Sequence, residues 1–225
     1  MIDFYRGSVY ALSDELGASA VAVLVISEDD WNYAMHDVVA VPIYSVGLDD
    51  EEQLLRPRVG DYLADCTRIG SFHEDDLADF MFDAEQSEID ATAFGVRTFL
   101  DIDTMLSPPK FTPPPSISRR DWWPNRGGVY YGRSFNGQRE IYGVITSDEW
   151  NVRNDYSACV FLTSVNKKWR SRWQIPISSS GYAIICDVDI FRHGEFDHRA
   201  KTKVLRLTRD DLTAVAQGLV VSLEL

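Results

Sequence analysis

The sequence predicts a mainly β protein built from two small β-barrels, each closed by a C-terminal helix. Three observations carry this expectation. The heptapeptide ISEDDWN at 26–32 returns as ITSDEWN at 145–151, each time after an apolar run (AVAVLV, IYGV) and before another (VVAVPIYSV at 38–46, SACVFLTSV at 157–165). Short β-branched runs divided by polar connections fill both halves, and each half ends in a stretch of helical spacing. Between them, SPPKFTPPPSISRRDWWP at 107–124 cannot sustain a helix, because proline lacks an amide donor and restricts the residue before it. The expected organisation is therefore two internal copies, 1–106 and 125–225, joined by a linker at 107–124. A chain of 225 residues can hold two cores of about 100 residues each.

In the first copy a short strand is expected at 7–12 and an apolar one at 20–26, with 29–36 a loop or short helical turn. A strand at 38–46 follows, then the acidic connection LDDEEQ at 48–53, a strand over 62–69 and acidic surface at 74–79. From Ser87 the spacing turns helical, with Ile89, Phe94, Val96, Phe99 and Leu100 as the apolar stripe and Ser87 and Glu88 suited to a helix start.

Strands of the second copy are expected at 128–132, 141–146, 157–164, 172–177, 182–190 and 201–207. Its closing helix has Thr208 as cap candidate, acids in its first turn, and Leu212, Val215, Ala216, Leu219, Val220 and Leu223 on one stripe. Gly218 weakens that helix without excluding it. Trp122 and Trp123 at the linker's end read as packing anchors rather than a base-stacking platform.

The net charge of −13 conceals an asymmetry: residues 1–107 carry 5 basic and 23 acidic side chains, a balance of −18, and residues 108–225 carry 17 and 12, a balance of +5. A polyanion is repelled by the first half, while Lys167, Lys168, Arg170 and Arg172 in the second could attract it. Cys66, Cys159 and Cys186, an odd and widely spaced set, suggest neither a disulfide framework nor a zinc cluster and read as buried small hydrophobes. His193, Glu195, Asp197 and His198 fit no standard metal spacing, so no metal or other cofactor is expected. Without an apolar run of about 18 residues or a signal-like start, the chain reads as cytoplasmic, with no membrane partner. Walker, dinucleotide and G-x-S-x-G motifs are missing from the sequence, which argues against nucleotide-dependent and serine-hydrolase chemistry.

The order RGSVY (6–10) or RGGVY (126–130), an apolar strand with a polar turn ending in WN, and a strand ending in PIYS or FLTS resembles the MazF/PemK/Kid toxins of bacterial toxin–antitoxin systems. The resemblance covers most of 5–106 and again of 126–225. It implies two SH3-like barrels, a fold shared with the CcdB gyrase inhibitors, packed as an intramolecular pseudo-dimer within a monomer. It also implies metal-independent cleavage of single-stranded RNA, with an antitoxin as the cognate partner.

Metal-free RNA cleavage needs a deprotonated 2′-hydroxyl, a cation or several donors on the phosphorane, and a proton for the leaving oxygen. By resemblance, the hydroxyl pair of the site falls on Thr163 and Ser164. The site's arginine falls on Glu140 with Arg139 next to it, and a one-residue slip turns a strand side chain to the other face unless a bulge intervenes. In the first copy the pair becomes Tyr44 and Ser45, and the arginine position is apolar, near Val21. There Asp65 and Arg68 keep a different part of the pattern; Asp187 and Asp189 of the second copy keep acids without the arginine. A composite site of Asp65, Arg68, Arg139, Thr163 and Ser164 is one expectation. The leading one is a divergent toxin-family protein that binds RNA or a protein partner with its ribonuclease impaired or absent. An active endoribonuclease and a CcdB-like gyrase inhibitor are the alternatives.

Overall fold

The computed structural model describes residues 4–13, 20–47, 52–107, 123–133, 138–166, 173–178, 181–196 and 206–225. The chain divides into two units, Met1–Phe99 with Leu219–Leu225, and Leu100–Gly218. Both are mainly β, each holding one antiparallel sheet. No helix among the described residues is long and apolar enough to cross a membrane.

In the first unit the chain runs β1 (Ser8–Leu12), β2 (Ala22–Val25), α1 (Asp29–Met35) and β3 (Asp37–Ser45). It continues through β4 (Arg58–Val59), β5 (Tyr62–Ala64), β6 (Gly70–His73), β7 (Leu77–Asp83) and α2 (Gln86–Phe99). The sheet order is β4-β5-β3-β2-β1-β7, with β6 beside the first half of β3. Period-two alternation sorts the side chains: Phe4, Tyr10, Val23, Val25, Val38, Ala40 and Leu77 form one buried cluster. On the helix side Gly95 lets α2 approach closely, since a Cβ there would stand 2.6 Å from Cys66 Sγ and 2.9 Å from the Leu54 carbonyl oxygen.

The second unit begins with α3 (Ile102–Leu106) and contains β8 (Val129–Arg133), β9 (Arg139–Val144), α4 (Asp148–Arg153), β10 (Tyr156–Thr163), β11 (Gln174–Ile177) and β12 (Gly181–Arg192). Its sheet order is β11-β12-β10-β9-β8. The last helix, α5 (Arg209–Ser222), belongs to this unit through Gly218. Tyr142, Val144, Cys159, Phe191 and Phe196 form an aromatic-rich cluster, with Tyr130 and Phe161 packed against it.

The two repeated words have a structural cause. In ISEDDWN the Ser27 hydroxyl donates to Asn32 Oδ1 (2.5 Å), while Asn32 Nδ2 donates to the carbonyls of Phe4 (3.0 Å) and Ser27 (3.3 Å). In ITSDEWN Thr146 donates to Asn151 Oδ1 (2.7 Å), and Asn151 Nδ2 donates to Pro124 (3.1 Å) and Thr146 (3.2 Å). Each amide is buried, and its bonds offset the desolvation that burial imposes. The RG words supply the other wall. Gly7 and Gly127 take φ of +86° and +74°, which favours glycine, and the Asp29 and Asp148 carboxylates accept from the Arg6 and Arg126 amides at 2.7 and 2.6 Å. Each guanidinium then holds a helix end. Arg6 donates to the Ile26 carbonyl and to that of Leu223 (2.7 Å), and Arg126 pairs with Asp101 (2.9 Å).

Several elements differ from the sequence reading. The strand expected over 62–69 is broken by a 3-10 turn at Cys66–Arg68, where Asp65 caps the turn through the Thr67 amide. Part of the acidic stretch at 74–79 is strand: β7 starts at Leu77, and its largely exposed residues give no buried alternation to read. The helix after Ser87 stops at Phe99, Asp101 turns left-handed (φ +53°), and α3 is separate. Phe94, placed on the apolar stripe, is 56 % exposed. The three cysteines are buried. Residues 48–51, 108–122 and 201–205, and with them Trp122 and most of the linker and last strand, lie outside the described residues.

Candidate functional site

The hydroxyl pair and the arginine named from the sequence all lie at one end of the second sheet. Arg139 opens β9 and Thr163 closes β10, and the register Leu162↔Ile141 sets these strand ends side by side. The pairing of β8 with β9 runs from Val129↔Gly143 to Arg133↔Arg139 without a shift. Adjacent residues of β9 therefore point to opposite faces. Arg139 shares a face with Tyr131, its guanidinium carbon 4.1 Å from that ring's centre. Glu140 shares the other face with Tyr142, whose hydroxyl donates to Glu140 Oε2 at 3.0 Å.

Thr163 stands on the Glu140 face. Phe161 is paired with Tyr142, their ring centres 5.8 Å apart, and Thr163 follows two residues later. Its Oγ1 accepts from the Val165 amide at 3.1 Å. Ser164 is exposed and, by the same alternation, falls to the Arg139 side. The strand ends bring the residues close along the chain direction and sort Arg139 and Thr163 onto different faces.

Glu140 and Tyr142 belong to an acidic group that the sequence reading did not assemble. Burial, then the charges of Asp189, Asp187 and Glu140, push the Tyr142 hydroxyl well above its ordinary pKa. Asp189 is also shifted up, by burial first and by Glu140, with a hydrogen bond from Tyr142 pulling the other way. The signal was present in REIYGV, where period two places Glu140 and Tyr142 on one face. What it lacked was the partner strand, because Asp189 joins the group through its pairing with Cys159.

In the first unit Asp65 and Arg68 are together. Asp65 Oδ1 accepts from the Thr67 amide (3.1 Å) and hydroxyl (2.6 Å), and Oδ2 lies 3.5 Å from Arg68 Nε, whose side chain is 59 % exposed. The Asp65 carboxylate thus has a local capping task. Tyr44 and Ser45 close β3. Lys167, Lys168, Arg170 and Arg172 lie outside the described residues.

A serine–histidine contact also exists. Ser157 Oγ is 3.1 Å from His193 Nε2, yet its proton goes to Asn151 Oδ1 (2.8 Å), so the hydroxyl accepts from the imidazole. With Ser157 fully buried, the pair is structural rather than a nucleophile and its base. Burial lowers the His193 pKa, against an upward pull from Asp155 and a backbone hydrogen bond at Tyr156. Asp197 and His198 lie outside the described residues, among which no group of three or more His, Cys, Asp or Glu could hold a metal.

The fold and the site define a two-unit, mainly β chain with an acidic strand end in its second unit. No protein-family model matches it, and no curated protein matches it by sequence. Solved structures do. One is an endoribonuclease in complex with its cognate antitoxin from Mycobacterial species, at 16% identity and a TM-score of 0.39, covering 45% of this chain and 96% of that one. A MazE–MazF structure from Deinococcus radiodurans matches at 18% identity and a TM-score of 0.37, covering 45% and 95%. MazF alone from the same organism matches at 17% and 0.36, covering 47% and 100%. Each of these structures aligns with about half the length of this chain.

Proposed function

We propose that this chain is a divergent MazF/PemK-like toxin-family protein, made of two copies of that barrel, which holds a partner and does not cut RNA. The observation that carries the reading is the face of Thr163. It bears Glu140 where the resemblance calls for an arginine, with Tyr142 and Asp189 beside it, while Arg139 faces the other way. A phosphorane formed there would meet carboxylates in place of a cation, the reverse of the electrostatic stabilisation such a step requires. Thr163 is itself engaged by the Val165 amide. The balance of −18 over residues 1–107 supports a protein in preference to RNA as the partner held.

The enzyme reading draws support from Arg139 and Ser164, which share a face at adjoining strand ends. Incubation of a long end-labelled single-stranded RNA with the native protein in EDTA separates the two. No discrete cuts are expected at micromolar protein. Cuts that Thr163→Ala or Arg139→Ala reduces by more than about tenfold would establish the nuclease and overturn the proposal.

A further inference from the structure

Strand β7 ends the sheet order of the first unit, and among the described residues it pairs with β1 alone. Among the described residues its outer edge therefore has no strand beside it. Native edges are blunted by charged side chains, proline, bulges or a short length. This one is 7 residues long, LADFMFD, without proline; its devices are two register shifts against β1 and the acids Asp79 and Asp83, which deter another acidic edge and leave it open to a basic strand. Phe80 and Met81 are 53 % and 37 % exposed. Around them the charge has one sign: residues 74–90 hold 8 acids and neither lysine nor arginine.

We infer that the β7 edge binds an extended, basic segment of a protein partner, which adds to the sheet as a further antiparallel or parallel strand. The main-chain edge supplies hydrogen bonds, Phe80 and Met81 the apolar contact, and Asp79 with the neighbouring acids the selection for lysine or arginine. A second copy of this chain on the same edge would set one acidic segment against another, which like-charge repulsion across strands disfavours. RNA meets the same repulsion. The inference deepens the reading of the chain as a binding protein and rests on it.

The test uses the full chain and three fluorescently tagged nonapeptides: one alternating lysine and valine, one alternating lysine and glycine with the same charge, and one alternating glutamate and valine. Anisotropy gives affinity, and hydrogen exchange locates the site. The lysine–valine peptide is expected to bind best and to slow amide exchange within 77–83. Phe80→Thr and Asp79→Asn are each expected to weaken it at least about threefold; Asp79→Asn leaves the thermal midpoint unchanged, and Phe80→Thr lowers it slightly because that ring packs edge-on against buried Tyr10. The inference is overturned if that peptide does not bind, or if the lysine–glycine peptide binds as tightly. It is also overturned if protection appears outside 77–83 or if single-stranded RNA protects β7 instead. None of these results depends on whether the protein cuts RNA, so a silent edge leaves the absence of cleavage standing, and a cleaving protein leaves the edge measurable.

Discussion

Asn32 and Asn151 show how a single side chain earns a repeated word. Each amide joins a hydroxyl two residues past the strand to the carbonyl of a residue that precedes that strand, and in the second unit Ser157 and His193 extend the network. Asn151→Ala strands the Thr146 and Ser157 hydroxyls and two carbonyls away from water. We expect a loss of about 2–3 kcal/mol, read as a lower denaturant midpoint at unchanged m. His193 adds a pH dependence. Its folded pKa is lowered, so below the unfolded value of about 6.5 the unfolded chain takes up the proton first. Stability should be greatest above that pH, decline as pH falls through the interval down to the folded pKa, and level off below it. His193→Gln should flatten this part of a melting-temperature profile between about pH 7.5 and 5. The word itself was legible in the sequence. The contact with His193 was not, because it depends on β12 returning beside β10.

Helices α2 and α5 each carry one glycine, Gly95 and Gly218, where propensity alone argues for alanine. Close packing explains both, since a Cβ at Gly218 would stand 2.9 Å from two atoms of Ile185 and one at Gly95 would meet Cys66 and the Leu54 backbone. Gly95→Ala should therefore destabilise by about 1–3 kcal/mol despite its better helix propensity, measured by urea unfolding. Most strands of both sheets were readable because they are short, nearly continuous buried apolar runs, as in β2 and β3. β4, with two residues, was too short to leave a pattern, and β7 too exposed. Strand alternation decides the candidate site. It puts Arg139 and Glu140 on different faces, a choice the sequence left open because only the unshifted ladder between β8 and β9 excludes a bulge there.

Across the whole chain the charge divides as the sequence does, −18 over residues 1–107 and +5 over 108–225, and this bears on how any RNA experiment is read. Repulsion between the acidic half and RNA is strongest at low ionic strength and is screened as salt is added. The most direct test therefore follows labelled single-stranded RNA across a salt series from about 0.05 to 0.3 M in EDTA with protein in excess, reading bound fraction and chain integrity from the same sample. Our account predicts that whatever RNA is bound stays intact over hours and that Thr163→Ala changes nothing. Discrete new ends that accumulate with the native protein and disappear with Thr163→Ala would contradict it, and would show that a face carrying Glu140 and Asp189 still supports cleavage.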